Sequence, residues 1–249
     1  MEPENPALDE YVLTLAERRE PRLLFLPTAS GDGSEQTARF HDAFNDRPCE
    51  TEVLELFKLG QRGPTDLREL VLSQDIVYVG GGSMRNLLAI WQVHGLDEIL
   101  REAWEAGVVL AGLSAGAMCW FEFGVTKSMG EPEPTAGLAM LPGSLTVHAD
   151  GEPDRLPVFE SLVAAATIPP GYAADDGVGL LFRGTELASA VSSRPGAGAW
   201  RIEPDGDGGV ERTQLLVQML DANGPAALRT VPGDVLEFRR ARYGASLRD

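Results

Sequence analysis

The apolar residues of this chain fall into short runs separated by longer amphipathic stretches. Residues 22–27 (Arg-Leu-Leu-Phe-Leu-Pro), 75–79 and 108–111 are continuous apolar runs bounded by turn residues. That is the pattern of strands buried on both faces. Residues 51–57 alternate and read as a further strand. Between these runs the apolar spacing changes to the helical period. Leu8, Tyr11, Val12 and Leu15 mark a helix over 7–19. Helices are also expected over 34–44, with Ser34 as its N-cap, and over 66–72, 84–93 and 96–106, the last closed by Gly107. Residues 28–33 form a polar turn. A helix over 115–122 follows the strand at 108–111.

Strands that alternate with helices predict an α/β fold with a parallel sheet covered on both faces. Such sheets place their sites at the carboxyl ends of the strands. Two glycine-rich turns, 80–82 and 112–116, lie at such ends. The second half reads differently. Residues 178–182, 188–192, 199–202 and 214–219 are strand-like, and a turn at 205–209 precedes the last of them. This predicts an antiparallel extension beside the parallel core. No linker or internal repeat interrupts the chain, so residues 1–249 are expected to form one domain.

The turn Gly112-Leu113-Ser114-Ala115-Gly116 puts a serine between strand and helix with glycines on either side, the form of a nucleophile elbow. A serine nucleophile needs a base, and the chain has three histidines. His41 falls inside a predicted helix and His94 between two helices. His148 ends an apolar run that leads out of Leu141-Pro142-Gly143-Ser144, where a strand end is expected. It is the base this placement favours. The oxyanion of an acyl-transfer intermediate needs two donors. The amide of Ala115, directly after the serine, is one. The Gly80-Gly81-Gly82 turn can supply the second. That turn lacks the GxGxxG spacing and the Gly-Lys-Ser/Thr of phosphate-binding loops. In an α/β-hydrolase the histidine comes far downstream, after the acid. Here only 34 positions (148 minus 114) separate serine and histidine, and no histidine follows. The glutamine amidotransferases carry cysteine at the comparable elbow, and this chain carries serine.

Composition narrows the partners. The formal net charge of −17 argues against nucleic acid and against anionic membranes. Nothing approaches the roughly 18 apolar residues of a membrane span. The acidic N-terminus has no signal-peptide character, so a soluble cytoplasmic protein is expected. Cys49 and Cys119 make neither a disulfide framework nor a zinc cluster. Cys119, in the run Met118-Cys119-Trp120-Phe121, reads as core. The basic run Arg239-Arg240 with Arg242 reads as a solvated edge.

Tyr78-Val79-Gly80-Gly81-Gly82, Gly112 to Ala117, and Leu141-Pro142-Gly143-Ser144 running into His148-Ala149-Asp150 together resemble peptidase family S51, which includes dipeptidase E and cyanophycinase. Pro27-Thr28-Ala29-Ser30 and Asp175-Asp176-Gly177 share the likeness, which spans roughly residues 22–202. The resemblance implies a flavodoxin-like, class I glutamine amidotransferase-like parallel sheet with flanking helices. It implies a metal-free, cofactor-free mechanism with Ser114 as nucleophile, His148 as base, and Gly82 and Ala115 as oxyanion amides. It implies hydrolysis of small peptides, with dipeptidase E-like members cleaving after an N-terminal aspartate, and a homodimer. A third acid is expected between serine and histidine; Glu131 is favoured, with Glu133 and Glu122 as alternatives. Arg85 or Lys127 would meet a substrate carboxylate, and Asp150 or Glu131 a free α-amine. The chain departs from the family at Ser83, where Asn is usual, and at Val147-His148-Ala149-Asp150, where Pro-His-Tyr-Asp is common. A second reading is a non-peptidase on the same scaffold, either a binding or sensor protein or a hydrolase of another acyl substrate, including a cyanophycinase-like activity.

Overall fold

The computed structural model describes residues 1, 5–59 and 66–220. The chain builds an α/β fold around a parallel sheet of four strands. These are β1 (Arg22–Leu26), β2 (Glu50–Val53), β3 (Ile76–Val79) and β4 (Val109–Gly112), in the order β2-β1-β3-β4. The flanking helices are α1 (Ala7–Thr14), α2 (Ser34–Phe44), α3 (Leu67–Leu72), α4 (Met84–His94) and α5 (Leu96–Glu105).

The two faces of this sheet follow from the two-residue period of a strand. Leu24 and Leu26 of β1 and Val77 and Val79 of β3 face one layer. There they pack with Leu87 and Trp91 of α4 and Leu100 of α5. Leu23, Phe25, Ile76 and Tyr78 face the other layer and pack with Phe40 and Phe44 of α2. Phe25 stacks on Phe40 at 4.6 Å between ring centroids. Because both faces are covered, Leu23–Leu26 and Ile76–Val79 contain no charged positions. One polar contact crosses to α1: the buried Tyr78 hydroxyl donates to Asp9 at 2.7 Å. Burial and the Asp9 charge push the Tyr78 phenol well above its ordinary range.

After β4 come the short helix α6 (Ala115–Met118) and strands β5 (Phe121–Thr126), β6 (Glu133–Ala136) and β7 (Leu141–Thr146). Helix α7 (Arg155–Ala164) then crosses to β8 (Gly171–Ala174). Strands β5, β7 and β8 are mutually parallel. Strand β6 joins the edge antiparallel to β5. The extension adds β9 (Val178–Arg183), β10 (Glu186–Ser192), β11 (Ala199–Pro204), β12 (Val210–Gln214) and β13 (Val217–Met219). β11 and β12 complete a six-stranded mixed sheet, β12-β11-β8-β7-β5-β6, and β9, β10 and β13 form a third sheet. β8–β11, β11–β12 and β9–β10 are antiparallel, as expected of the extension.

Several boundaries differ from the sequence reading. The first helix ends at Thr14, not at 19, and the alternating run at 51–57 breaks into β2 and a 3₁₀ turn over Leu56–Lys58. Gly33 occupies the cap of α2, and Ser34 is its first helical residue. The helix expected over 115–122 stops at Met118, because the chain turns into β5. The strand expected at 214–219 is split between β12 and β13. Arg239, Arg240 and Arg242 lie outside the described residues.

The contact between β4 and α6 is close because two glycines allow it. A Cβ on Gly112 would stand 2.0 Å from the Gly116 carbonyl oxygen, and one on Gly116 would stand 2.5 Å from that of Val79. Both obstacles are backbone, so neither can swing aside. Gly116→Ala is expected to destabilise the fold by about 1–3 kcal/mol or more. In thermal unfolding that means a midpoint lowered by about 2–12 °C. An unchanged midpoint would show that the β4–α6 contact can relax.

Candidate active site

Four segments leave the carboxyl ends of parallel strands and converge. Gly80-Gly81-Gly82 follows β3 and Ser114 follows β4; these strands are neighbours, with Val79 opposite Gly112. His148 follows β7 and Asp176 follows β8; these are neighbours too, with Thr146 opposite Ala173. Each catalytic-type side chain stands two residues beyond its strand. The site therefore lies where open parallel sheets place their crevices.

Ser114 takes φ 51° and ψ −112°, a conformation that L-residues rarely adopt. The turn is tied down on both sides. The Leu113 amide donates to Val79 O at 3.0 Å, and the Ala117 and Met118 amides both donate to Ser114 O at 2.9 Å. Ala115 opens α6, so its own amide has no acceptor within the helix.

His148 also holds a positive φ, 60°. Its carbonyl accepts from the Glu152 amide at 2.8 Å, and the Ala149 amide donates to Ala174 O at 3.1 Å. These bonds direct the ring at the serine: Nε2 lies 2.9 Å from Ser114 Oγ. The opposite ring nitrogen, Nδ1, is hydrogen-bonded to Asp176 Oδ1. A carboxylate only accepts, so Nδ1 carries the proton and Nε2 is left to accept from the serine hydroxyl. The His148 side chain is 28% exposed and that of Asp176 36%, so small molecules in solution can reach the pair.

The carboxylate within hydrogen-bond reach of His148 is Asp176 and not Glu131. Glu131 sits exposed in the turn between β5 and β6, which the antiparallel hairpin holds out toward solvent. Glu122 lies on β5 and accepts from the Gly143 amide at 3.3 Å. Glu133 begins β6 and pairs with Arg85 at 3.1 Å. Asp176 lies beyond His148 in sequence, not between it and the serine. Its signal was the one that located His148, a polar residue just past a short strand. The Gly171–Ala174 strand is too short and too plain in composition to stand out beside its neighbours.

The other expected contacts are redistributed. Asp150 accepts from the Asp176 amide at 2.9 Å, so it shapes the acid's loop. Lys127 pairs with Asp154 at 2.8 Å and lies 3.8 Å from Glu152. His41 is in the last turn of α2, and His94 ends α4. Cys119 is fully buried, and burial pushes its thiol well above the usual range, which suits a core role. Ser83 caps α4 by accepting from the Asn86 amide at 3.3 Å, a role Asn fills equally well.

Carboxylates crowd the histidine side of the site. Burial raises the Asp175 carboxyl above its ordinary value, against a hydrogen bond from the Gly198 amide at 2.8 Å; the charges of Asp150 and Asp176 raise it further. The compensating cation is Arg155, only 4% exposed, which bonds Val147 O at 3.3 Å and pairs with Glu152 at 3.0 Å. Burial lowers the basicity of its guanidinium, and Glu152, Asp154 and Asp176 oppose that.

On the glycine side, a Cβ on Gly81 would stand 3.3 Å from Ser114 Cβ, so this turn lies directly against the serine. Gly82 has φ 139°, and a Cβ there would stand 2.3 Å from Ala29 O. Only glycine fits that position.

A serine–histidine–carboxylate chain at the carboxyl ends of parallel strands from two sheets defines the class of site. Comparison with known proteins assigns the family. The model of Peptidase family S51 matches residues 1–190, and the chain belongs to that family. It is 49% identical over 202 residues to "Uncharacterized peptidase YgaJ" of Bacillus subtilis (strain 168), covering 81% of this chain and 86% of that one. The crystal structure of a peptidase from an acI-B1 Actinobacterium superposes with a TM-score of 0.63 at 24% identity, covering 85% of this chain and 89% of that one. A putative peptidase E protein from Listeria monocytogenes EGD-e aligns at 17% identity with a TM-score of 0.49, covering 85% and 95%. The family and the 49% identical relative, itself named a peptidase, make this protein a peptidase. Among the described residues no helix is long and apolar enough to cross a membrane.

The two carboxylates can be separated by mutation. Asp176→Asn is expected to lower peptide turnover by about 10³–10⁴-fold, because the histidine tautomer is no longer held. Glu131→Gln is expected to stay within about twofold of the unmodified protein. Steady-state kinetics on one peptide substrate compares them, and the opposite ranking would return the role to Glu131.

Proposed function

We propose that this protein is a serine peptidase of small peptides, working through Ser114, His148 and Asp176. The observation that carries this reading is the 2.9 Å approach of His148 Nε2 to Ser114 Oγ, with Asp176 on the opposite ring nitrogen. Ser114 Oγ attacks the scissile carbonyl as His148 takes its proton. His148 returns that proton to the departing amine, and an acyl-enzyme remains. Water, deprotonated by the same histidine, then releases the acid. Asp176 stabilises the imidazolium in both halves. The amides of Gly82 and Ala115 receive the oxyanion. Ser114→Ala is expected to abolish both peptide hydrolysis and covalent labelling by a fluorophosphonate. Labelling or hydrolysis that survives the substitution would defeat the assignment.

Within this reading the favoured substrate is a dipeptide with N-terminal aspartate. Arg85, three residues beyond Gly82, is the cation for that side chain. It is paired with Glu133, but the pair is solvent-accessible, with side chains 47% and 30% exposed. Such pairs contribute about 0–1 kcal/mol, so a substrate carboxylate can replace Glu133 at little cost. The pairing of both Arg85 and Lys127 with protein carboxylates favours one alternative, a hydrolase of another acyl substrate on the same scaffold. A dipeptide panel with Asp, Glu, Ala or Leu at the N-terminus decides between them. Asp is expected to give the highest kcat/KM, and Arg85→Gln to reduce the Asp-to-Ala ratio by about tenfold or more. Equal rates across the panel would remove the aspartate preference and leave a peptidase, and hydrolysis of none of the dipeptides would support the alternative.

A further inference from the structure

We infer that Gln36 is a positioning residue that sets the orientation of the Gly81–Gly82 peptide and so aims the Gly82 amide at the oxyanion. The inference rests on the serine-peptidase reading above. Gln36 lies in the first turn of α2, and its Nε2 donates to Gly81 O at 2.9 Å. The described chain has no cis peptide bonds. In a planar trans peptide the N–H points opposite to the carbonyl. Holding Gly81 O toward Gln36 therefore turns the Gly82 N–H away from α2. Gly81 itself lies against Ser114, as the 3.3 Å approach of an added Cβ shows.

This peptide needs holding. Neither flanking residue has a Cβ, so rotation of the plane between them meets little steric resistance. A flip would turn a carbonyl oxygen toward the developing negative charge. The Ser83 amide donates to Ala29 O at 2.8 Å, but that bond fixes the next peptide, not this one. Gln36 acts on the Gly81–Gly82 plane directly.

A second observation points the same way. Gln36 Oε1 is buried and has no hydrogen-bond partner among the described residues. A buried orphan acceptor is unfavourable, so its persistence needs a reason. Turning the amide over cannot cure it, because Oε1 would then face Gly81 O, another acceptor. The side chain thus keeps one oxygen unsatisfied in order to donate to Gly81. The glycine run is built around it as well: a Cβ on Gly80 would stand 2.5 Å from Gln36 Oε1. Gly80 makes room for the amide, Gly81 presents the carbonyl, and Gly82 supplies the N–H.

The test uses Gln36→Met, which keeps the length and removes the donor, and Gln36→Glu, which keeps the shape and replaces the donor with an acceptor. Both are assayed on the fastest-cleaved dipeptide of the panel. Expected for Gln36→Met is a kcat about 10–100-fold lower, with KM within about twofold, since only transition-state stabilisation is lost. Gln36→Glu is expected to fall at least as far. The Kd for phenylboronic acid, which adds to the serine as a tetrahedral anion, is expected to rise by the same factor as kcat falls. The thermal midpoint of Gln36→Met is expected to stay within about 2 °C of that of the unmodified protein, because losing the donor to Gly81 O and losing the orphan oxygen offset one another. A merely structural role would instead lower the midpoint and move KM, with boronate affinity following KM; that result overturns the inference. Unchanged kcat in both variants also overturns it, and leaves the serine-peptidase reading standing if Ser114→Ala is inactive on the same dipeptide. Activity retained by Ser114→Ala overturns both.

Discussion

Ser114 is held at a backbone angle that costs a non-glycine residue about 1–3 kcal/mol, and the surrounding structure exists to keep it there. The strained turn lifts the hydroxyl out of the sheet and leaves the Ala115 amide without a helical acceptor. It is sustained by backbone packing: Gly112 against Gly116, and Gly116 against the end of β3. The continuous apolar runs of β1 and β3 give that packing a rigid base. A flexible loop could not sustain the same angle, because nothing would prevent the serine from relaxing.

The same economy of placement brings the partners together. Parallel strands start and stop in register, so residues a fixed distance beyond neighbouring strands share one edge. This pairs the glycine turn with Ser114, and His148 with Asp176. His148 also sits at positive φ, so strain is present on both sides of the serine–histidine bond. Asp150 anchors the Asp176 amide in this arrangement. The buried Arg155 offsets the carboxylates that gather behind the histidine. Without such a cation, this density of negative charge would be hard to keep in a partly buried loop.

Much of the site was legible along the chain because it obeys local rules. Gly112, Ser114 and Gly116 mark a turn that few other sequences can make. His148 was found by elimination, being the histidine at a strand end. Asp176 is not legible as the acid because its strand is four ordinary residues, Gly-Tyr-Ala-Ala, while Glu122, Glu131 and Glu133 lie between serine and histidine, where an acid is expected. Each of those three proved to have another place: in a strand, in an exposed turn, or paired with Arg85. Gln36 gave no local signal, since a glutamine in the first turn of a helix reads as solvated.

The sequence by itself determined the strands buried on both faces, the helices between them, the elbow and its serine. Periodicity and glycine placement act over a few residues, so they can be read without the fold. Tertiary structure alone decided which carboxylate meets His148, which carboxylates engage Arg85 and Lys127, and which side chain reaches Gly81 O across 45 residues of chain. Those choices depend on how strands order and pair in space. Hydrogen bonds between strand ends have ranges of about 3 Å, while the residues that make them are tens of positions apart.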